Sequence, residues 1–265
     1  MACNAPDFDT RRFKSAAAHY LAGRAPYPAA LIRRTAQLLE LRDTDRLLDL
    51  GCGPGQLAMA FAPLAGEVVA MDPEPEMLAV AREASAALPN VKVVEGSSTD
   101  LGTQLGTFRA ALIGRAFHWM ERVETLRRFN DLITPDGAVV LFGTVGIAVP
   151  SNGWGQAYRD LCKHYAAGHD KSGPPRSEDL SAQVPVFIES AFSQVEQITV
   201  FWKWHFNAEV LIDQALSMSS TSRSRLGDRA DDMVAELRTA IPTWSPDGTF
   251  TELQACSALI ARRPG

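Results

Sequence analysis

Leu47-Leu48-Asp49-Leu50-Gly51-Cys52-Gly53-Pro54-Gly55-Gln56 is an apolar run that stops at an acid and opens into three glycines at alternate positions. The pattern predicts a buried strand turning sharply into a helix. Glycine suits such a turn because a side chain would block a bound ligand, and because the backbone angles are costly for residues with a Cβ. Leu57, Ala60, Phe61 and Leu64 continue at helical spacing, so the helix buries one stripe and points its N-terminus at the ligand.

Dinucleotide enzymes also place glycines after their first strand, in the order G-x-G-x-x-G. Here the third glycine comes one residue early, and Gln56 stands where that fingerprint needs Gly. Asp49 would bring negative charge to a pyrophosphate, so the loop suits a cationic ligand better. A second apolar run, Glu67-Val68-Val69-Ala70-Met71-Asp72, again ends in an acid. A carboxylate at that strand end is placed to accept the hydroxyls of a ribose. It is also placed to cap the next helix, which Pro73 and Pro75 open and Met77, Ala81, Ala84 and Leu88 continue.

The alternation persists along the chain. Val91–Glu95, Arg109–Ile113 and Ala138–Phe142 read as strands three to five, with a helix over Thr125–Ile133 and a turn at Thr134-Pro135-Asp136-Gly137. Strands separated by helices predict a doubly wound parallel sheet, with the ligand at the switch point beyond strands one and four. Residues 194–206 and 250–261 add a sixth strand and an antiparallel seventh at the sheet's edge, with helices near 208–218 and 229–240 between them. The expected class is therefore α/β: a Rossmann-like sheet of seven strands, the last antiparallel, with a helical insertion between strands five and six.

That insertion, residues 146–192, carries Trp154, Tyr158, Leu161, Cys162 and Tyr165 as one helical stripe, and a polar link from Gly168 to Pro175 suggests a lid. At the other end, Phe8, Phe13, Ala16, Ala17 and Tyr20 predict a helix leading to Gly23, and Pro28 opens another that runs to about Leu41. The chain divides into N-terminal covering helices over 1–45, a ligand-binding core over 46–145, the insertion over 146–192, and closing strands and helices over 193–265.

Composition narrows the partners. The 265 residues carry a net charge of −5, which gives no general field for nucleic acid, and no apolar run is long enough to span a membrane. The N-terminus lacks a secretory pattern, so a cytoplasmic protein is expected. Cys3, Cys52, Cys162 and Cys256 are scattered, which argues against a zinc site and a disulfide framework. No metal site is expected, and the sequence does not fix an oligomeric state.

From Tyr20 to Phe142 the chain resembles the class I S-adenosylmethionine-dependent methyltransferases, close in pattern to the trans-aconitate and related bacterial small-molecule methyltransferases. Asp49, Gly51, Gly53 and Gly55 match the family's first motif. The resemblance implies S-adenosylmethionine as cofactor, a ligand with an ammonium, a sulfonium and no phosphate. It implies that Tyr20 and Arg24 fold over the methionine end, although Tyr20 and Tyr27 could equally cover the core edge. Asp49, Gly51, Cys52, Gly53, Gly55, Gln56, Asp72, Pro73, Met77, Ser97, Ser98 and Arg115 complete the expected cofactor set. Ser97 stands where the family usually places an acid for the adenine amine, a weaker acceptor.

The implied activity is methyl transfer to oxygen, carbon or nitrogen of a small molecule. The alternative is a cofactor-binding protein that acts as a partner subunit or a non-methylating catalyst. His118, in Ala116-Phe117-His118-Trp119 after strand four, is the candidate general base, since an imidazole titrates near neutral pH. The other reading of His118 is a hydrogen bond to the cofactor's carboxylate or to the loop backbone.

Overall fold

The structure, a computed structural model, describes residues 16–166 and 180–265. Helices α1 (Ala17–Gly23) and α2 (Ala29–Leu38) precede β1 (Arg46–Leu50), α3 (Gln56–Phe61), β2 (Glu67–Asp72), α4 (Pro75–Ala84) and β3 (Val91–Glu95). Then come β4 (Phe108–Gly114), α5 (Arg122–Leu132), β5 (Ile133–Gly146), α6 (Trp154–Ala166) and α7 (Val184–Ile188). The chain closes with β6 (Gln194–Asn207), α8 (Ala208–Ser217), α9 (Arg223–Leu226), α10 (Arg229–Trp244) and β7 (Thr249–Arg262). The residues before 16, which include the expected start of the first helix, and the Gly168–Pro175 link lie outside the described residues.

The sheet order is β3-β2-β1-β4-β5-β7-β6. Strands β1 to β5 pair in parallel, and β7 runs antiparallel to both β5 and β6. Leu47, Leu48 and Leu50 are all but inaccessible, as a central parallel strand covered on both faces requires. One face packs Leu47, Phe61, Leu112 and Phe142 under α2 and α3, and the other packs Leu48, Phe108, Phe129 and Phe187 under α5 and α7. The order reverses between β1 and β4, so the crevice opens where the sequence predicts.

Two local expectations change. The seventh strand is not at the edge: it inserts between β5 and β6, leaving β6 outermost. The Thr134–Gly137 segment lies within β5 as an irregularity, because Ile133 already pairs with Phe108 before regular pairing resumes at Ala138 with Ala110. Of the insertion, α6 joins α8 and α10 in a separate helical layer around Tyr158, Leu211, Met233 and Leu237, whereas Phe187 of α7 belongs to the sheet's own core.

The N-terminal helix closes over the sheet by docking on α8. Gly23 meets the turn of backbone at Asp213 and Gln214 so closely that a Cβ there would lie 2.3 Å from the Gln214 nitrogen. His19 Nδ1 pairs with Asp213 Oδ1 at 2.7 Å, and Arg24 Nε donates to Ser217 Oγ at 2.9 Å. On the other side Ala16, Ala17 and Tyr20 pack on Met77 of α4. Replacing Gly23 by Ala should lower unfolding free energy by about 1–3 kcal/mol, the usual cost of forcing volume into a packed contact. Urea unfolding checks this, and an unchanged midpoint would mean that α1 does not depend on that contact.

Candidate active site

The glycine loop joins β1 to α3 with Gly51, Gly53 and Gly55 at φ of 69°, 53° and 86°, all in the left-handed region. The N–H groups of Gly51 and Cys52 donate to the Met71 carbonyl of β2 at 2.8 and 3.0 Å. Asp72 Oδ2 accepts from the Gly53 N–H at 2.8 Å and Oδ1 from the Glu74 N–H at 2.9 Å, while Asp49 Oδ2 accepts from the Ala58 N–H at 2.9 Å. Both strand-end carboxylates therefore brace the backbone around the loop. A Cβ on Gly51 would strike the Ala116 side chain at 2.5 Å, whereas one on Gly53 would meet nothing within 4 Å. Gly51 is thus required by packing, and Gly53 borders open space.

Asp49 is buried, with one oxygen, Oδ1, that has no hydrogen-bond partner among the described residues. Burial pushes its carboxyl up to about 7; the Ala58 N–H opposes that rise and the nearby Asp72 charge adds to it. Burial also raises Asp72, against the two N–H groups it accepts. An ammonium beside Asp49 would supply the absent partner, and Asp72 has lone pairs left for hydroxyls. The loop thus fits a cationic nucleoside carrying an amino acid.

Beside the loop, at the carboxyl ends of β4 and β5, lies a cavity of about 140 Å³ lined by Tyr20, Arg24, Arg115, His118, Trp119 and Thr144 among others. That is close to the roughly 150 Å³ that accommodates a benzene ring in an apolar protein interior. Arg115 adopts φ of 58°, uncommon for a residue with a side chain and costing about 1–3 kcal/mol. Its main-chain N–H donates to Phe142 of β5 at 3.2 Å, its Nη2 donates to Gln56 Oε1 at 3.1 Å, and its guanidinium lies 5.4 Å from the Tyr27 ring centroid. Gln56 Nε2 in turn donates to the Arg24 carbonyl at 3.5 Å, so one amide ties the glycine loop, the N-terminal cover and the cavity together. The Arg24 guanidinium lies 5.3 Å from the Tyr20 ring centroid. Burial alone would raise the Tyr20 phenol, but Arg115 and Arg24 outweigh it and lower its pKa. The His118 ring lies 4.7 Å from that of Trp119.

Tyr20, Arg24, Arg115 and His118 thus meet in one cavity, while Asp49, Gly51, Gly53, Gly55, Asp72 and Pro73 shape the adjoining loop. Cys52 is buried behind that loop, its thiol pushed well up by burial. Met77 is buried beneath Tyr20. Ser97 and Ser98 lie further along the crevice at the end of β3. Ser97 Oγ donates to Asp100 Oδ2 and accepts from the Thr99 N–H, so Ser97 and Asp100 cap their own short turn. Sequence reasoning missed Glu74, almost wholly buried next to Asp72 with its carboxyl raised by burial. It also missed Thr144, Gln183 and Ser219, which reach the cavity from β5, the segment before α7, and the loop after α8.

The chain is similar to known proteins in its core and in its overall fold. Residues 47–137 match a family described as "Methyltransferase domain". An uncharacterized methyltransferase of Mycobacterium tuberculosis is 28% identical over 244 residues, 91% of each chain. A candidate type II methyltransferase from Anaeromyxobacter dehalogenans superposes with a TM-score of 0.61 at 20% identity, covering 91% of this chain and 97% of that one. A methyltransferase from Thiobacillus denitrificans, solved with S-adenosylhomocysteine, gives 0.53 at 16% identity, covering 95% and 98%.

The raised Asp49 predicts a pH-dependent stability. Between the ordinary aspartate pKa and about 7 the folded protein holds a proton that the unfolded chain has released, so wild-type stability falls as pH rises through that window. Asp49→Asn should therefore melt above wild type at pH 8, with the difference shrinking steadily towards pH 5. Equal melting temperatures across this range would show that Asp49 is not held against its charge.

Proposed function

We propose that this chain, an S-adenosylmethionine-dependent methyltransferase of the class I fold, transfers its methyl group to oxygen, carbon or nitrogen of a small molecule. The carrying observation is the walled cavity beside the glycine loop, which has room for about one ring and holds a histidine next to a tryptophan. When bound, the cofactor supplies an electrophilic methyl on a sulfonium. Asp49 meets the ammonium, Asp72 the ribose hydroxyls, and Arg24 the carboxylate, with Tyr20 closing over the methionine end. Gly53 leaves room for the ligand against the loop, and Ser97 and Ser98 border the adenine.

Methyl transfer disperses charge, so the residues act chiefly by alignment in a dry site. Phe117, Trp119 and Phe142 keep water away, and Leu180 and Gln183 of the 146–192 segment form part of the acceptor's wall. His118 takes the proton from an acceptor that must lose one. Among the described residues no helix is long and apolar enough to cross a membrane. Cys52, Cys162 and Cys256 are buried free thiols, which supports a reducing compartment such as the cytoplasm.

His118→Ala should keep S-adenosylhomocysteine affinity within about threefold while lowering kcat by about 10² or more, the usual worth of a general base. Part of that loss should return as pH rises and the acceptor ionises unaided. Steady-state kinetics with calorimetric titration check this; a parallel loss of affinity would place His118 on the donor's carboxylate instead. Asp72→Ala should weaken S-adenosylhomocysteine by about 1–3 kcal/mol through lost charged hydrogen bonds. An unchanged Kd there would remove the ribose role.

A further inference from the structure

We infer that the methyl acceptor is a carboxylic acid whose carboxylate is a handle gripped by Arg115, and that the methyl goes to a separate protic atom beside His118. This rests on the small-molecule reading above and names its substrate class. Arg115 is a cation at the cavity without a counter-charge. Among the described residues no carboxylate forms an ion pair with it, its Nε is buried with no hydrogen-bond partner, and Nη2 donates to the neutral Gln56 amide. No aspartate or glutamate is among the described residues lining the cavity, whereas two arginines are. A half-buried arginine whose partners are an amide, a phenol and an aromatic ring has no carboxylate to offset its lost hydration unless an anion joins it. The left-handed backbone at Arg115 adds to the cost of keeping the side chain there.

Counting charges assigns the anion. The donor brings one carboxylate for two guanidiniums. Arg24, on the covering segment and fixed through Nε to Ser217, takes that one. Arg115 leaves β4 three residues before His118; the groups its guanidinium hydrogen-bonds are the Gln56 amide and the Tyr20 phenol, neither a carboxylate, so a second carboxylate, which only the acceptor can bring, would be its first carboxylate partner. This moves Arg115 from the donor's contacts to the acceptor's. A carboxylate so held is a poor nucleophile, and His118 then has its own task. As the acceptor's O–H or C–H proton passes to the imidazole, the new bond to methyl forms while the methyl–sulfur bond breaks, leaving a neutral thioether.

The test uses the full chain saturated with S-adenosylhomocysteine, titrated calorimetrically with the ortho, meta and para hydroxybenzoates and with the matching hydroxybenzamides, neutral probes of the same shape. At least one acid should bind at least about tenfold more tightly than its amide. Arg115→Met should erase that preference while S-adenosylhomocysteine stays within about threefold, and Arg115→Lys should keep part of it. If Arg115→Met does not fold by circular dichroism, Arg115→Lys decides: an acid preference identical to wild type overturns the proposal. So does the absence of any acid preference in wild type, or a loss of S-adenosylhomocysteine affinity in the variant as large as that of the acid. Incubation with S-adenosylmethionine separates the two levels. An acid that binds through Arg115 yet is never methylated sinks the small-molecule methyl-transfer reading and leaves the anion site standing. Methylated amides with unbound acids do the reverse.

Discussion

Two carboxylates at the ends of neighbouring strands hold the peptide between them, and the site depends on this brace. Asp72 accepts the Gly53 and Glu74 N–H groups and Asp49 accepts that of Ala58, so the protein's own carboxylates hold a loop with three left-handed glycines. Those hydrogen bonds stabilise the ionised acids while burial opposes ionisation, and for both acids burial prevails. A site braced in this way gains most from a ligand that is itself positive, since the ligand relieves a cost the fold already carries.

From that loop the coupling runs outward through Gln56. The same amide that excludes a dinucleotide fingerprint reaches Arg115 on one side and the Arg24 backbone on the other. The covering segment is in turn fastened to α8 by Gly23, His19 and Arg24, residues nearly two hundred positions from their partners. Glycine loop, cover and cavity thus share a short chain of contacts, which suits a reaction governed by alignment.

Much of this was legible in the chain. The parallel strands could be read because Leu47, Leu48, Val68, Val69, Ala111 and Leu112 make uninterrupted apolar runs, and the switch point follows from crossover handedness alone. The position of β7 could not, because its alternation says that it pairs but not with which neighbours. Pro135 and Gly137 carry ordinary turn chemistry, yet the pairing of Ile133 with Phe108 absorbed that segment into β5. At the site, Asp49, Asp72 and the glycines stand out by residue type and spacing. Thr144, Gln183 and Ser219 are unremarkable locally and reach the cavity only through long-range packing. Glu74 reads as a solvated loop acid until the packing of the surrounding chain buries it.

On the proposed function the crevice passes a methyl group to a small molecule. Its most direct measurement is the fate of a carbon-13 methyl label, with the enzyme supplied with labelled S-adenosylmethionine and a bacterial extract divided by size into small-molecule and macromolecular fractions. A new methyl resonance in the small-molecule fraction, growing in step with S-adenosylhomocysteine, is the expected result. Label appearing only on protein or nucleic acid, or no transfer at all while the cofactor binds, would contradict it.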